Sequence, residues 1–343
     1  MYVFNGYLFS QRPTGVMRYA REILQVIDGL CNKDEFVLLV PTYAKNMPPL
    51  QNIKTVKYGN RKGNLWEQVD FPRYLNRNDG EGVNFNNTMP ILKPGIIVIH
   101  DVAYKTHPEF ASSLHGKVSN LYHQIIFRIA ARSDKPIVTV SYFSKQQLID
   151  IYKIDPHRIT VIGNAWQHFK RVEADNTILN KLDLRKKEYY FSLGSLSRMK
   201  NTEWIIEEAK KNPDKIFVLS GAQPQNSNMK FVSTNNVVFT GFISDEQVSA
   251  LIQNCKAFIY SAIYDGFGIP PMEAMSLGAK ILCSNAACLP EIYGSCVHYF
   301  DPYEHNINID ELLEESVADP AYVLEKYSWE KSGQMFYKLL KEN

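Results

Sequence analysis

Residues 264–275 read Tyr-Asp-Gly-Phe-Gly-Ile-Pro-Pro-Met-Glu-Ala-Met and follow an apolar run of high β propensity, Ala257–Tyr260. Gly266 and Gly268 allow a tight loop in which backbone approaches a ligand closely. The two prolines are typical of the first turn of a helix, where a missing backbone N–H costs no hydrogen bond. The stretch therefore predicts a strand, a glycine loop and a helix whose free N–H groups suit a diphosphate.

Two acidic residues flank this predicted helix start. Asp265 lies in the loop and Glu273 just inside the helix, so both side chains can face one pocket. Carboxylates accept hydrogen bonds from sugar hydroxyls, which makes a sugar-containing ligand the functional interpretation. The alternative is an ordinary βα turn in which Glu273 only complements the helix dipole.

A second segment, Gly194–Asn201, follows the predicted strand Tyr189–Leu193 and carries Arg198 and Lys200. Ligands bind at the carboxyl ends of parallel strands, and these cations suit phosphate oxygens. A solvated turn before a helix is the alternative. The chain has neither the GxxxxGK[ST] motif nor a clean GxGxxG with a distant acidic residue, which argues against P-loop kinases and nicotinamide enzymes.

Apolar strand-like runs alternate with amphipathic helical stretches throughout the chain, which predicts an α/β protein with two doubly wound parallel sheets. The boundary is predicted near Gly163–Trp166, and residues 320–340 are predicted as a helix. The predicted strands are Phe36–Val40, Ile53–Val56, Val83–Phe85, Ile96–Ile99, Ile137–Val140, Ile159–Ile162, Tyr189–Leu193, Ile216–Leu219, Val237–Thr240, Ala257–Tyr260 and Lys280–Ser284.

The first half contributes two further candidates. Gly15 lies in a predicted helix start, Arg12–Tyr19, where it could let a diphosphate or an acceptor approach the backbone. His100 closes the predicted strand Ile96–Ile99 and so emerges at the ligand edge of its sheet. A glycine required by the helix start and a structural histidine are the alternatives.

Charge is unevenly distributed along the chain. Residues 1–165 contain 20 Lys and Arg against 13 Asp and Glu, a net of +7, although the whole chain has only +2. A basic first half suits a phosphate, a lipid diphosphate or a membrane surface, and ordinary solvated surface is the alternative. The expected membrane-docking face combines these basic and aromatic residues: Lys105, His107, Phe110, His115, Lys117, Tyr122, His123, Phe127, Arg128 and Arg132.

The remaining composition predicts a cytoplasmic protein. No window approaches the ~20 uncharged apolar residues of a membrane-spanning helix, and the start resembles no secretory signal. The five cysteines form no CxxC pair, so they are expected to be reduced, mostly buried thiols rather than zinc ligands.

Taken together, these motifs resemble glycosyltransferase family 4, whose GT-B architecture has two Rossmann-like domains facing a central cleft. The resemblance implies an acceptor domain over residues 1–164, a nucleotide-sugar domain over 165–325, and a C-terminal helix over 326–343 that packs back toward the first domain. It is carried by Thr14–Tyr19, Ile99–Val102, Val140–Ser144, Gly194–Asn201, Gly241, Asp265–Met275 and Leu289–Ile292.

The resemblance also implies the roles of the site residues. Arg198 and Lys200 would bind the diphosphate, and Glu273 would bind the ribose. Asp265 stands at a position that is usually Glu in the family, and its carboxylate would contact the transferred sugar. His100 would lie near the reacting sugar. The remaining donor-binding residues would be Gly15, Gly266, Phe267, Gly268 and Ile269.

The implied reaction is a retaining, metal-independent transfer of a hexose or deoxyhexose from a nucleoside-diphosphate sugar, with no other cofactor and no nucleic-acid partner. Segments such as Gln11–Gly15 and Asn164–His168 are similar to those of bacterial enzymes that build capsule, O-antigen or exopolysaccharide. Their saccharide acceptors are often linked to a lipid diphosphate, which suggests a peripheral location at the cytoplasmic membrane face. A nucleotide-sugar epimerase of the same architecture and an inactive scaffold subunit remain as alternatives.

Overall fold

The structure, a computed structural model, describes residues 1–110, 113–194, 196–221 and 234–343. The chain forms two compact units, of which the first comprises Met1–Asn164 with Ser328–Asn343 and the second comprises Ala165–Tyr327. Within the described ranges, no helix combines the length and the apolarity needed to cross a bilayer. All five cysteines are free and buried.

The first unit contains, in its described residues, a seven-stranded parallel sheet of order β3-β2-β1-β4-β5-β6-β7. Phe4 at its centre pairs in register with Leu38 on one side and Val83 on the other. The strands are β1 (Tyr2–Asn5), β2 (Val37–Val40), β3 (Lys54–Lys57), β4 (Glu81–Asn84), β5 (Ile96–Val98), β6 (Ile137–Thr139) and β7 (Ile159–Val161).

The second unit contains, over its described part, a six-stranded parallel sheet of order β10-β9-β8-β11-β12-β13. Every residue of β11 and β12 is buried, as expected for parallel strands covered on both faces. The strands are β8 (Tyr189–Leu193), β9 (Ile216–Ser220), β10 (Val237–Gly241), β11 (Ala257–Tyr260), β12 (Ile281–Ser284) and β13 (His298–Phe300).

The helices alternate with these strands along the chain, which completes two α/β units. They are α1 (Gly15–Leu30), α2 (Phe71–Arg77), α3 (Ala103–Thr106), α4 (Leu114–Arg132), α5 (Tyr142–Tyr152), α6 (Thr177–Lys181), α7 (Thr202–Lys211), α8 (Asp245–Asn254), α9 (Ile269–Ser276), α10 (Leu289–Tyr293), α11 (Ile309–Glu314), α12 (Ala321–Lys326) and α13 (Trp329–Glu342). The predicted fold class, α/β with two doubly wound parallel sheets, is confirmed.

Two predictions of secondary structure need correction. The strands β1 and β13 are absent from the predicted set, although β1 is central to the first sheet. The single helix predicted over residues 320–340 is instead α12 and α13, interrupted at Tyr327–Ser328. Ser328 ends the extended stretch and caps α13, because its side chain accepts a hydrogen bond from the Lys331 N–H.

The last helix completes the core of the first unit. In α13, Gly333 faces Val26 of α1 so closely that an added Cβ would clash with it. The hydroxyl of Ser332 donates to the carbonyl of Gly163 at 2.8 Å, and Trp329 packs edge-on against Tyr19. Residues from the end of the chain therefore stabilise the unit that the first 164 residues form.

Strand order reverses at one point in each sheet, between β1 and β4 in the first and between β8 and β11 in the second. Open parallel sheets bind ligands outside the carboxyl ends of the strands at such a switch point. The fold thus singles out two places where functional side chains are expected, one in each unit.

Candidate functional site

A pocket opens at the switch point of the second sheet. It lies beyond the ends of β8 and β11, and its wall includes side chains from the segments that follow both strands. Its lining residues are Ser192, Leu193, Gly194, Leu196, Lys200, Thr202, Ile205, Leu219, Ser220, Tyr260 and Ser261.

Lys200 is brought to this pocket by a single turn of 3-10 helix, Arg198–Lys200, that ends at Asn201 in the left-handed region with φ 52°. The turn is attached to the segment after β11 on two sides. The hydroxyl of Ser261 donates to the Lys200 carbonyl at 2.9 Å, and the Ile263 N–H donates to the Met199 carbonyl at 3.0 Å. The backbone that carries the predicted phosphate ligands is therefore fixed by main-chain and side-chain hydrogen bonds.

The side chain of Lys200 forms a triad with Tyr260 and Asp265. Its Nζ lies 2.5 Å from Asp265 Oδ2 and donates to the Tyr260 hydroxyl at 2.8 Å. Tyr260, the last residue of β11, also donates its hydroxyl to Asp265. Because Tyr260 ends a central parallel strand, its place at the ligand edge follows from the sheet, yet it was missed as a candidate from the sequence.

The charges in this triad are well defined. Burial would raise the pKa of Asp265, but the ammonium of Lys200 and the hydrogen bonds from Lys200 and Tyr260 hold that pKa below its ordinary value. Burial and the Asp265 carboxylate raise the pKa of Tyr260 well above its ordinary value. The carboxylate is therefore ionised while the phenol remains a neutral donor.

Arg198 begins the same turn and is exposed. It stands two residues before Lys200, at the carboxyl edge of the second sheet. Lys200 is one-fifth exposed and already engaged by a carboxylate, whereas Arg198 is an exposed residue. The two predicted phosphate ligands thus differ in environment, although the structure keeps them on one turn.

The glycine loop has the local structure that the sequence predicts. Gly268 adopts a φ of 80°, and an added Cβ there would clash with Leu289. The helix α9 begins at the next residue, Ile269, with prolines in its first turn. The backbone N–H of Phe267 donates to Asp265 Oδ1 at 3.3 Å, so the loop also holds this carboxylate.

Phe267 itself faces the interior. Its side chain is 2% exposed and packs edge-on against Tyr327 with ring centroids 5.2 Å apart. Gly266 is buried as well, whereas Ile269 is half-buried at the helix start. Any contribution of Phe267 to ligand binding therefore has to come from the loop conformation that it maintains rather than from its ring.

Glu273 is buried in α9 and bonded to a residue that was missed as a candidate from the sequence. Its Oε1 lies 2.7 Å from Nε2 of His168, and both side chains are almost fully buried. His168 belongs to a short 3-10 helix, Gln167–Arg171, near the start of the second unit. Because 105 positions separate the two residues, only tertiary structure reveals this pair.

In the first unit, His100 lies two residues after the end of β5 and is 8% exposed. Its Nε2 lies 2.9 Å from the Phe85 carbonyl, and its backbone N–H donates to Asn87 Oδ1 at 2.7 Å. Since a carbonyl only accepts, Nε2 carries the hydrogen in this arrangement. The rings of His100 and of Tyr19 in α1 pack edge to face with centroids 5.2 Å apart, which restricts the orientation of His100.

Gly15 is the first residue of α1 and is exposed. The helix is capped by Thr14, whose hydroxyl accepts from the Met17 N–H at 3.2 Å. Tyr19, one turn further along, contacts His100, so α1 approaches the strand end that carries this histidine. Tyr19 therefore links the helix that begins at Gly15 to the strand end that carries His100.

A buried polar cluster, not predicted from the sequence, occupies the switch point of the first sheet. Asn5 at the end of β1 donates to Asn84 at the end of β4 at 3.0 Å and to Glu67 at 3.3 Å. Thr88 donates to the same Glu67 oxygen at 2.7 Å. Glu67 lies in a π-helical turn, Trp66–Asp70, a form often found at functional sites. An asparagine ending each of two central strands was the available signal.

Metal ligation has no obvious place in the described part of the chain. Among residues 1–110, 113–194, 196–221 and 234–343, no group of three or more His, Cys, Asp or Glu side chains is arranged to hold a metal ion. Metal independence stays a prediction, as do the absence of other cofactors and the roles of the individual site residues.

Comparisons with known proteins agree with this geometry. Residues 175–322 match the family model described as Glycosyl transferases group 1. The chain is 25% identical over 275 residues to O-antigen chain mannosyltransferase B of Escherichia coli, covering 73% of this chain and 71% of that protein. It is 23% identical over 270 residues to O-antigen chain mannosyltransferase RfbU of Salmonella typhimurium, covering 75% and 72%.

A solved structure shows the same fold over nearly the whole chain. Anabaena Alr3699/HepE, determined in complex with UDP and glucose, superposes with a TM-score of 0.74 at 15% identity and covers 99% of both chains. The chain, whose residues 175–322 match the glycosyl transferases group 1 model, is a glycosyltransferase with the GT-B architecture of two parallel-sheet domains.

Proposed function

We propose that the chain is a retaining glycosyltransferase of family 4 that transfers a hexose or deoxyhexose from a nucleoside-diphosphate sugar to a saccharide acceptor in cell-surface polysaccharide assembly. Mannose is the first candidate sugar, because both relatives described above are O-antigen mannosyltransferases. These names favour transfer over the epimerase alternative. The observation that carries the proposal is the triad of Lys200, Tyr260 and Asp265 at the switch point of the second sheet.

The leaving group is the first requirement of this reaction. Cleavage of the bond between sugar and phosphate develops negative charge on the diphosphate, which preorganised donors stabilise. Lys200 and Arg198 supply two cations, and the N-terminal end of α9 adds the positive end of its helix dipole. A diphosphate would draw Lys200 toward its oxygens, and Asp265 would then be released toward the sugar hydroxyls. No metal ion is needed in this scheme.

The nucleoside end of the donor is assigned to Glu273. A buried carboxylate that is held by His168 keeps a fixed orientation, which suits recognition of ribose hydroxyls. Since His168 occupies Oε1, a ribose hydroxyl would bind Oε2 or share Oε1 with the imidazole. His168 is thereby a positioning residue for the nucleotide.

The acceptor is assigned to the first unit, where His100 and the start of α1 lie at the ligand edge of the sheet. We infer that the acceptor hydroxyl attacks the sugar on the face that the diphosphate leaves, and that the departing phosphate takes the proton. The basic charge of residues 1–165 supports an acceptor linked to a lipid diphosphate and a peripheral location at the cytoplasmic membrane face.

Ligand-dependent stability tests the donor assignment. The wild type, Lys200→Ala and the control Lys210→Ala, which changes an exposed lysine of α7, would be heated with UDP, GDP, dTDP or CDP. A ligand that binds the folded state raises its stability by mass action. We expect one nucleotide to raise Tm in the wild type and in Lys210→Ala but much less in Lys200→Ala.

A transfer assay with the matching labelled nucleotide sugars then tests the reaction itself. Release of free nucleotide and labelling of a saccharide acceptor are expected only when the acceptor is present. Interconversion of the nucleotide sugar without an acceptor would establish the epimerase alternative. Failure of all four nucleotides to bind, together with no transfer, would leave a scaffold role.

A further inference from the structure

The outer face of α4 carries a continuous row of exposed apolar side chains, which we name the outer stripe. Leu114 is 79% exposed, Val118 60%, Leu121 57% and Ile125 40%. At about 100° per residue these four positions fall within an arc of roughly 60° on the helix. The outer stripe is therefore one surface and not a set of scattered residues.

The fold of the first unit does not account for this row. The core side of α4 is formed by Ile126, Phe127 and Ala130, which are buried and point away from the outer stripe. A surface helix ordinarily places charged and polar residues opposite its core side. Single exposed apolar residues are normal, but a contiguous apolar row marks an interaction surface.

The charges around the outer stripe identify the partner. His115 and Lys117 are exposed near its first turn, and Arg128 and Arg132 are exposed beyond Ile125. The helix contains no Asp or Glu between Leu114 and Arg132. A helix with an apolar face and basic flanks lies in the headgroup region of an anionic bilayer.

The structure corrects the docking face expected from the sequence. Phe127 is fully buried, and His123 stacks on Tyr104 with ring centroids 3.8 Å apart. Burial also lowers the pKa of His123, which disfavours its charged form. These residues therefore support the helix from inside, and the membrane-facing apolar contacts have to come from the outer stripe.

We propose that α4 docks the protein on anionic phospholipid, with the outer stripe inserted among acyl chains and the flanking cations on the headgroups. The proposal rests on the proposed function, since it supplies the route to a lipid-linked acceptor. A second copy of this chain fits less well, because pairing two stripes would bring together two basic helices that have no Asp or Glu between Leu114 and Arg132.

The inner side of α4 connects this surface to the switch point of the first sheet. The hydroxyl of Tyr122 accepts from Gln68 at 2.8 Å and lies 3.4 Å from Glu67. Glu67 is in turn bonded to Asn5 at the end of β1. A bilayer against the outer stripe would thus lie about one helix diameter, roughly 10–12 Å, from Glu67, which is hydrogen-bonded to Asn5 at the carboxyl edge of the first sheet.

Vesicle sedimentation tests the proposal. The wild type, the stripe variant Leu114→Ser/Val118→Ser/Leu121→Ser and the control Leu92→Ser/Tyr322→Ser would be mixed with two kinds of vesicle. One kind contains phosphatidylcholine alone, and the other contains phosphatidylcholine with phosphatidylglycerol. The control removes exposed apolar side chains elsewhere, since Leu92 is 92% and Tyr322 72% exposed.

We expect the wild type and the control to bind the anionic vesicles. The stripe variant should bind at least tenfold more weakly, because burying even one Leu or Val side chain among acyl chains contributes about that factor. Lys117→Ala and Arg128→Ala should each weaken binding about fivefold at low salt. Equal binding of wild type and stripe variant, binding that ignores lipid charge, or no binding would overturn the proposal. A dimer that the stripe substitutions abolish would assign the surface to a second copy instead.

The nucleotide-induced rise in Tm is measured on the same proteins. It should be unchanged in the stripe variant, because all three side chains are exposed and none lies in the second unit. Lost vesicle binding with a retained nucleotide response supports the docking helix. If no nucleotide raises the Tm of any of these proteins, the proposed function is contradicted. The vesicle result is unaffected by that outcome.

Discussion

Lys200 Nζ lies 2.5 Å from Asp265 Oδ2, and the hydroxyl of Tyr260 is bonded to both side chains. The cation expected to hold the diphosphate and the carboxylate expected to contact the sugar are therefore direct partners. A donor that separates them transfers Lys200 from the carboxylate to the diphosphate and leaves Asp265 to the sugar hydroxyls.

Removing either cation of the Arg198–Lys200 turn should abolish most transfer without unfolding the protein. We expect Lys200→Ala and Arg198→Ala to lower kcat by roughly 10²–10³-fold, the usual effect of removing one preorganised donor to a developing charge. Steady-state kinetics with the donor identified by thermal shift provide the measurement. Lys210→Ala serves as control, and turnover near the wild-type value in Lys200→Ala would refute the phosphate assignment.

Chelation should leave the activity intact. The cations and helix N-terminus at the diphosphate position perform the charge stabilisation that a metal ion supplies in other transferases. We expect equal initial rates before and after dialysis against EDTA, at a donor concentration near KM. Activity that disappears with EDTA and returns with Mn²⁺ or Mg²⁺ would show that a metal takes part.

Two glycines offer a matched test of the packing of the last helix. Gly333→Ala should destabilise the protein by about 1–3 kcal/mol, because the added methyl group overpacks the contact with Val26. At Gly29 of α1, an added methyl group would have no heavy atom within 4 Å, so Gly29→Ala should instead stabilise by about 0.5–1 kcal/mol. Urea unfolding measures both, and a neutral Gly333→Ala would contradict the close approach of α13 to α1.

The buried cluster at the first switch point should make stability depend on pH. Burial raises the pKa of Glu67, although hydrogen bonds from Thr88 and Asn5 oppose this effect. A carboxyl group whose folded pKa exceeds its unfolded value of about 4.3 stabilises most below that value. Its contribution declines as pH rises toward the folded pKa.

Glu67→Gln stays neutral, so it should lack this decline. The unfolding free energy of the wild type should fall relative to that of Glu67→Gln as pH rises from about 4 toward neutrality. Urea unfolding at several pH values measures the difference between the two proteins. A difference that does not vary with pH would mean that hydrogen bonding fully offsets the effect of burial on the pKa of Glu67.

The sequence predicted those features that follow from local order along the chain. The run Ala257–Tyr260 followed by a glycine loop and prolines specified β11 and α9, and the rule for parallel strands placed Lys200 and Asp265 at one sheet edge. Their direct pairing could not be predicted, since it depends on how two segments 65 positions apart pack together. The partnership of His168 with Glu273 has the same origin.

Other omissions arose where local signals were weak or conflicting. The strand β1 has only four residues and ends in Asn5-Gly6, so its polar end concealed a central strand. In α4, apolar residues on two opposite faces obscure the usual amphipathic pattern, and sequence alone could not say which face was covered. The break between α12 and α13 at Tyr327–Ser328 contains no proline or glycine that would signal it. It separates α12, which belongs to the second unit, from α13, which belongs to the first.

The acidic pair should divide its work between the two ends of the donor. Glu273→Gln should weaken binding of the free nucleoside diphosphate, because an amide offers one acceptor oxygen and its NH₂ group cannot accept from His168 or from ribose. Asp265→Asn should not weaken that binding, since it releases Lys200 from its carboxylate partner and leaves the ammonium available to the diphosphate. It should nevertheless lower kcat with the full donor, the pattern of a contact used mainly in the transition state. Calorimetry with the nucleotide and turnover with the nucleotide sugar separate the two effects. If Asp265→Asn weakens nucleotide binding as much as Glu273→Gln does, Asp265 serves the structure of the glycine loop, which it already holds through the Phe267 N–H.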